Sequence, residues 1–155
     1  MLRQIRQLSL VALALAACTK DPAPAPKAEK KADDAPAYEL NLAASGPWAA
    51  GQASNAAVTV TAKPGFHVNP EYPVTFKPEG SEAVKFEGER VALTPGTRTP
   101  CADKAEDACK VEFPLPVTPE KPGPAKVAGI VAFSVCSADK CLIEKVPVTL
   151  AISVQ

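Results

Sequence analysis

The tetrad VTVT, residues 58 to 61, sets Val58 and Val60 on one side of an extended chain and Thr59 and Thr61 on the other. The same period returns near the end, where Val146, Val148, Leu150, Ile152 and Val154 share a face opposite Pro147, Thr149, Ala151 and Ser153. Successive side chains of a strand point to opposite faces, so this alternation predicts half-buried β-strands. The run KVAGIVAFSVC, residues 126 to 136, is apolar on both parities. It predicts a central strand covered on both sides, with Gly129 marking a bulge or a close backbone approach.

Further strands are expected at YELNL, YPVTFKP, VKFEG with RVAL, and VEFPLPV, separated by KPG, PEG, TPG and KPGP. The separators carry turn chemistry, because proline presets φ and glycine supplies positive φ. Pro114 and Pro116 cannot donate to a ladder, which predicts that VEFPLPV is an edge strand or bulged. No window after the first residues carries a helical period. Seven or eight short strands punctuated this way predict an all-β fold, an antiparallel immunoglobulin-like β-sandwich, with a small barrel as the alternative that periodicity leaves open. Trp48, in SGPWAAGQ, is expected to pack on the sandwich edge.

The first residues differ in kind. Arg3 and Arg6 precede an apolar run from Leu8 to Leu15 and the small residues Ala16 and Ala17, the layout of an export signal over 1–17. No later run approaches the roughly 20 apolar residues of a spanning helix. The sequence LAAC ending at Cys18 resembles the lipobox of bacterial lipoproteins, which implies diacylation of Cys18, cleavage before it and attachment to a membrane. Thr19, where an Asp would retain the protein, resembles the outer-membrane sorting pattern and implies a protein facing the periplasm. Residues 18–37 are rich in Pro, Ala, Lys and Asp and are expected to form an extended tether, leaving 38–155 as one sandwich domain. With 17 basic and 17 acidic residues the formal net charge is zero, so no basic footprint points to nucleic acid.

Of the five cysteines, four remain after Cys18: Cys101 and Cys109 in CADKAEDAC, and Cys136 and Cys141 in CSADKC. An even number in an exported domain implies disulfides, with three possible connectivities. Local pairing is expected because each pair brackets a short polar segment that must turn back on itself. Chain entropy credits such short loops with only about 2 to 3 kcal/mol each, so these bridges serve local shape or chemistry more than global stability. Zinc is disfavoured, since structural sites space paired ligands by about two to four residues and CADKAEDAC places seven between its cysteines. Lys140 and Lys145 flank Cys141 but are opposed by Asp139 and Glu144. No phosphate-cradling glycine loop, serine elbow or paired carboxylates in a recognisable context are present, and no cofactor is expected.

The succession AKPGFHVNPEYPVTFKP, FPLPV and KVAGIVAFSVCSADKCLIEKVPVTLAI is similar to the N-terminal periplasmic domain of the thiol:disulfide interchange protein DsbD, an immunoglobulin-like module. The likeness covers most of residues 55 to 152, and its most specific part is Val131 to Val148. It implies an electron relay of the thiol:disulfide oxidoreductase type. Cys136 and Cys141 would be the redox pair, Cys141 forming the mixed disulfides. Partners would be periplasmic thiol-disulfide proteins and a membrane electron transporter. The resemblance also places Phe66 and His67 on a strand near the pair. Two departures stand out: Cys141 is followed by Leu142 and Ile143 where relatives often carry prolines, and the interval matching the family's aromatic cap loop, TPGTRTPCADKAEDACK, has no aromatic residue but a second cysteine pair. The alternative is a non-catalytic structural or interaction lipoprotein with two inert disulfides.

The lipobox reading has a direct test: the wild type is expected in the membrane fraction, and Cys18→Ser is expected either to stall maturation or to release a soluble protein. A mature wild type that stays soluble would refute it.

Overall fold

The computed structural model describes residues 35–155. The signal segment 1–17, Cys18 and the tether as far as residue 34 lie outside the described residues. Ten strands follow in chain order: β1 (Tyr38–Ala44), β2 (Ser54–Ala62), β3 (His67–Val68), β4 (Thr75–Pro78), β5 (Val84–Lys85), β6 (Val91–Ala92), β7 (Arg98–Pro100), β8 (Ala108–Pro119), β9 (Gly123–Cys136) and β10 (Cys141–Val154). All pairings between them are antiparallel. Among the described residues there is no helix, and hence none long and apolar enough to cross a membrane. The fold is an all-β immunoglobulin-like sandwich. It exceeds the expected seven or eight strands because β3 and β7 are only two and three residues long, too short for alternation to register.

One layer is organised by β9. Its whole length pairs with β10 in unbroken register, from Gly123 opposite Val154 to Cys136 opposite Cys141. Its other edge takes β4 against Gly129 to Ala132 and β3 against Val135 and Cys136, and β6 extends the layer beyond β4. The second layer is organised by β8, which pairs with β2 on one edge, with β1 beyond it, and with β7 and β5 on the other. β3 also meets β8, through Val68 opposite Ala108. It is therefore the seam between the layers.

The core follows from the alternation. Val58 and Val60 of β2, Val111, Phe113, Leu115 and Val117 of β8, and Val127, Val131, Phe133 and Val135 of β9 are all fully enclosed. Truncating an enclosed phenylalanine such as Phe113 or Phe133 to alanine typically costs about 3–5 kcal/mol. On β9 the other parity is buried too, through Ala128, Ala132, Ser134 and Cys136, in keeping with its apolar run. Trp48 is also buried and paired beside Val154, with Gln155 N donating to Trp48 O at 2.8 Å. The sandwich edge there is closed by this contact.

The edge expected at VEFPLPV is found only locally, since residues 113–117 pair with β2 alone, while the strand as a whole is not an edge of its sheet. β8 is an interior strand, and its prolines fit because of where their nitrogens point. Glu112 N donates toward β7, to Thr97 O, and Glu120 N donates to Ala83 O beside β5. Positions 114 and 116 share that direction and fall between the two short partners, where no ladder bond is lost. Phe113, Leu115 and Val117 meanwhile keep the core face.

Gly129 marks a close approach and not a bulge, since the β9–β10 register runs through it without a shift. A Cβ built there would lie 2.4 Å from Lys77 O and 2.5 Å from Phe76 Cζ. Phe76 is fully enclosed and Lys77 O is backbone, so neither can move aside cheaply. Gly129→Ala is expected to destabilise the domain by about 1–3 kcal/mol through overpacking, read as a lower denaturation midpoint. An unchanged midpoint would mean that β4 does not press on β9 as described.

Candidate functional site

The hairpin joining β9 to β10 turns through Ser137, Ala138, Asp139 and Lys140. Ser137 N donates to Lys140 O at 2.8 Å, while Ser137 Oγ accepts from the amides of Asp139 and Lys140 at 3.3 Å each. Ser137 and Lys140 thus form a hydrogen-bonded pair. The next pair out, Cys136 with Cys141, occupies a non-hydrogen-bonded position, where cross-strand side chains come closest. The two residues are bridged, with Cα atoms 4.0 Å apart. Their surroundings differ: Cys136 is 6% exposed, whereas Cys141 is open to solvent.

Cys101 and Cys109 form the second bridge, with Cα atoms 4.8 Å apart. The loop they close is held by Cys101 N donating to Asp107 O at 2.9 Å and Asp107 N donating to Lys104 O at 3.1 Å. Cys101 is buried and Cys109 half-buried.

β3 brings the two bridges to the same end of the sandwich. KPG forms a turn closed by Phe66 N donating to Lys63 O at 3.0 Å, with Gly65 at φ +83°, the left-handed region a type II turn requires at that place. Asn69 Oδ1 then accepts from Glu71 N at 2.9 Å and ends the strand before Pro70. Between these turns Val68 enters the core and His67 stands opposite Cys136. His67 Nδ1 lies 3.4 Å from Asp107 Oδ2, and Lys104 Nζ lies 3.5 Å from the same oxygen. Cys109 Sγ rests 3.6 Å from Phe66 O, a packing contact, since an oxidised sulfur has no proton to donate. A hollow of about 470 Å³ separates the bridged loop from the hairpin, lined by Phe66, His67, Cys101, Lys104, Asp107 and Ser137 among others.

Strand alternation sorts the charges that balance along the sequence. Glu144 turns to the face opposite Cys141, where it accepts a hydrogen bond from Tyr38 Oη at 3.4 Å. Tyr38 stands edge-on to Phe133 with centroids 4.8 Å apart. Burial first, then the charge and hydrogen bond of Glu144, push the Tyr38 phenol above its usual range. Lys145 keeps the face of Cys141 but stands four residues along the strand, roughly 13 Å away. Neither charge touches the bridge. Nearer to it on that face is Ile143, 61% exposed.

The structure therefore gathers Phe66, His67, Cys101, Cys109, Cys136 and Cys141 at one end, while Cys18 is outside the described residues. Asp107, Lys104 and Ile143 join them without having been singled out by sequence. For Asp107 no signal existed, because its partner His67 is about 40 positions away, and Lys104 enters only through Asp107, to which it is paired. Ile143 could have been found by its place at the polar parity of β10, where an apolar side chain faces solvent.

No protein-family model matches the chain, and no curated protein matches its sequence. Among solved structures it is similar to the reduced N-terminal domain of DsbD from Neisseria meningitidis, at 12% identity and a TM-score of 0.42, covering 76% of this chain and 85% of that one. It is also similar to AggA, the major subunit of aggregative adherence fimbriae type I from Escherichia coli, at 10% identity and a TM-score of 0.38, covering 76% of this chain and 95% of that one. The likeness is one of strand arrangement and bears on neither chemistry nor partner.

Proposed function

We propose that this chain is a lipid-anchored periplasmic protein, held through Cys18 to the outer membrane, that exchanges thiols and disulfides through Cys136 and Cys141. The observation that carries the reading is the unequal burial of the bridge, with Cys136 covered and Cys141 open at the tip of a hairpin. Cys141 is the open half of the bridge and the one a partner thiolate would attack. As it attacks, a bond forms between the partner sulfur and Cys141 Sγ, the bridge breaks, and the electron pair leaves on Cys136 Sγ. The partner's second thiolate then attacks the partner sulfur of this mixed disulfide and expels Cys141 as a thiolate, so the partner leaves oxidised and the pair reduced. The Cys141 thiolate in turn attacks the disulfide of an oxidised partner, and the Cys136 thiolate attacks Cys141 Sγ, expels that partner as a thiolate and restores the bridge. The exposed Ile143 beside Cys141 gives a partner an apolar contact during the encounter. Periplasmic thiol-disulfide proteins are the partners proposed, with a membrane electron transporter as the source of reducing equivalents.

Two outcomes follow. The bridge between Cys136 and Cys141 is expected to open well before that between Cys101 and Cys109 when the poise is lowered stepwise toward about −300 mV, below which structural bridges typically lie. Cys136→Ser is expected to accumulate mixed disulfides through Cys141, since the thiol that resolves them is gone. If no adducts form and the native bridge persists near that potential, the pair is an inert staple.

A further inference from the structure

Exchange at this bridge requires a group to hold the charge that arrives on buried Cys136 when the bridge opens. An uncompensated thiolate in such surroundings is unfavourable, and cations lower its cost. The lysines near the hairpin do not serve. Lys145 is roughly 13 Å along the strand, and Lys140 lies in the exposed turn.

His67 does have the right position. It stands directly opposite Cys136 in an antiparallel pair, so their side chains share one face with Cβ atoms about 5 Å apart. Its side chain is only 24% exposed. On its far side Asp107 Oδ2 lies 3.4 Å from Nδ1, which orients the ring and leaves Nε2 free of that contact. The charged groups around His67 are Asp107, Lys104 and Asp103 from the bridged loop, while β9 contributes Cys136 and the hairpin contributes Ser137 and Ala138. Lys104 is engaged with Asp107.

We infer that His67, oriented by Asp107, is a positioning residue for exchange: its imidazolium stabilises the Cys136 thiolate released by attack on Cys141, or returns a proton to it. The partner thiolate and the bridge become a mixed disulfide and a Cys136 thiolate, and the thiolate with imidazolium is in equilibrium with thiol and neutral imidazole. The Cys101–Cys109 bridge thereby gains a purpose beyond stability, because it fixes the loop that carries Asp107.

This inference rests on the exchange reading, but its test needs no biological partner. The full-length protein would be treated with dithiothreitol across pH 5 to 8, where histidine ordinarily titrates. Opening of each bridge would be followed on its own peptides by mass spectrometry, with rates corrected for the thiolate fraction of the reductant. The wild-type rate for Cys136–Cys141 is expected to fall about tenfold across this range, because a leaving thiol of lower pKa departs faster. His67→Gln should give a flat profile at the slow rate, His67→Lys a flat profile near the fast one, and Asp107→Asn an intermediate loss. Opening of Cys101–Cys109 and the thermal midpoint should not change in the two His67 variants. A wild-type profile without an inflection, or a His67→Gln profile within twofold of wild type at every pH, would overturn the inference. Because dithiothreitol replaces the partner, either result is independent of whether Cys136→Ser captures periplasmic proteins.

Discussion

Everything at the disulfide-bearing end depends on the register of β9 against β10. Fourteen consecutive pairs run from Gly123 and Val154 to Cys136 and Cys141 without a bulge, so the last pair is fixed by the thirteen before it. A slip of one residue would turn every side chain of β10 to the other face, exposing Ile152 and Val154 and parting the sulfurs. β9 cannot move to compensate, since both its faces are buried and Phe76 with Lys77 fills the space above Gly129. The geometry of the bridge is inherited from the core.

Long strands were legible in sequence for a plain reason. β2, β8, β9 and β10 are nine residues or longer, enough for alternation or a continuous apolar run to stand out. The double burial of β9 could be read from KVAGIVAFSVC. Pro114 and Pro116 misled because a missing donor says that one edge is unpaired locally, without saying for how far. β3 carries too few residues for a period and is held by turns at either end. It is visible only once β8 and β9 are placed.

The site was legible in its sulfurs and not in its surroundings. Cysteine spacing brought out two short loops, each of which had to turn back. Nothing linear indicated that both loops would meet at His67, or that Asp107 would be the group to reach it. The charge balance around Cys141 misleads in the same way: Glu144 and Lys145 are neighbours in sequence and occupy opposite faces of the strand. Where chemistry depends on faces and on strands brought together from a distance, composition along the chain is a poor guide to the local field.

The hairpin's hydrogen-bonding phase reaches further than the bridge. Because Ser137 pairs with Lys140 through hydrogen bonds, the even-numbered residues of β10 bond to β9, and the odd-numbered ones turn their backbone groups outward. Trp48 covers that outer edge near Val154, and no other strand among the described residues pairs along it. Pro147 is odd-numbered. It therefore removes a donor from the outward row and leaves the inner ladder intact, and a second chain trying to add a strand would meet a gap halfway along. The long open edge of β10 is thereby a poor template for self-association, and the same phase that brings two sulfurs together guards the domain against aggregation.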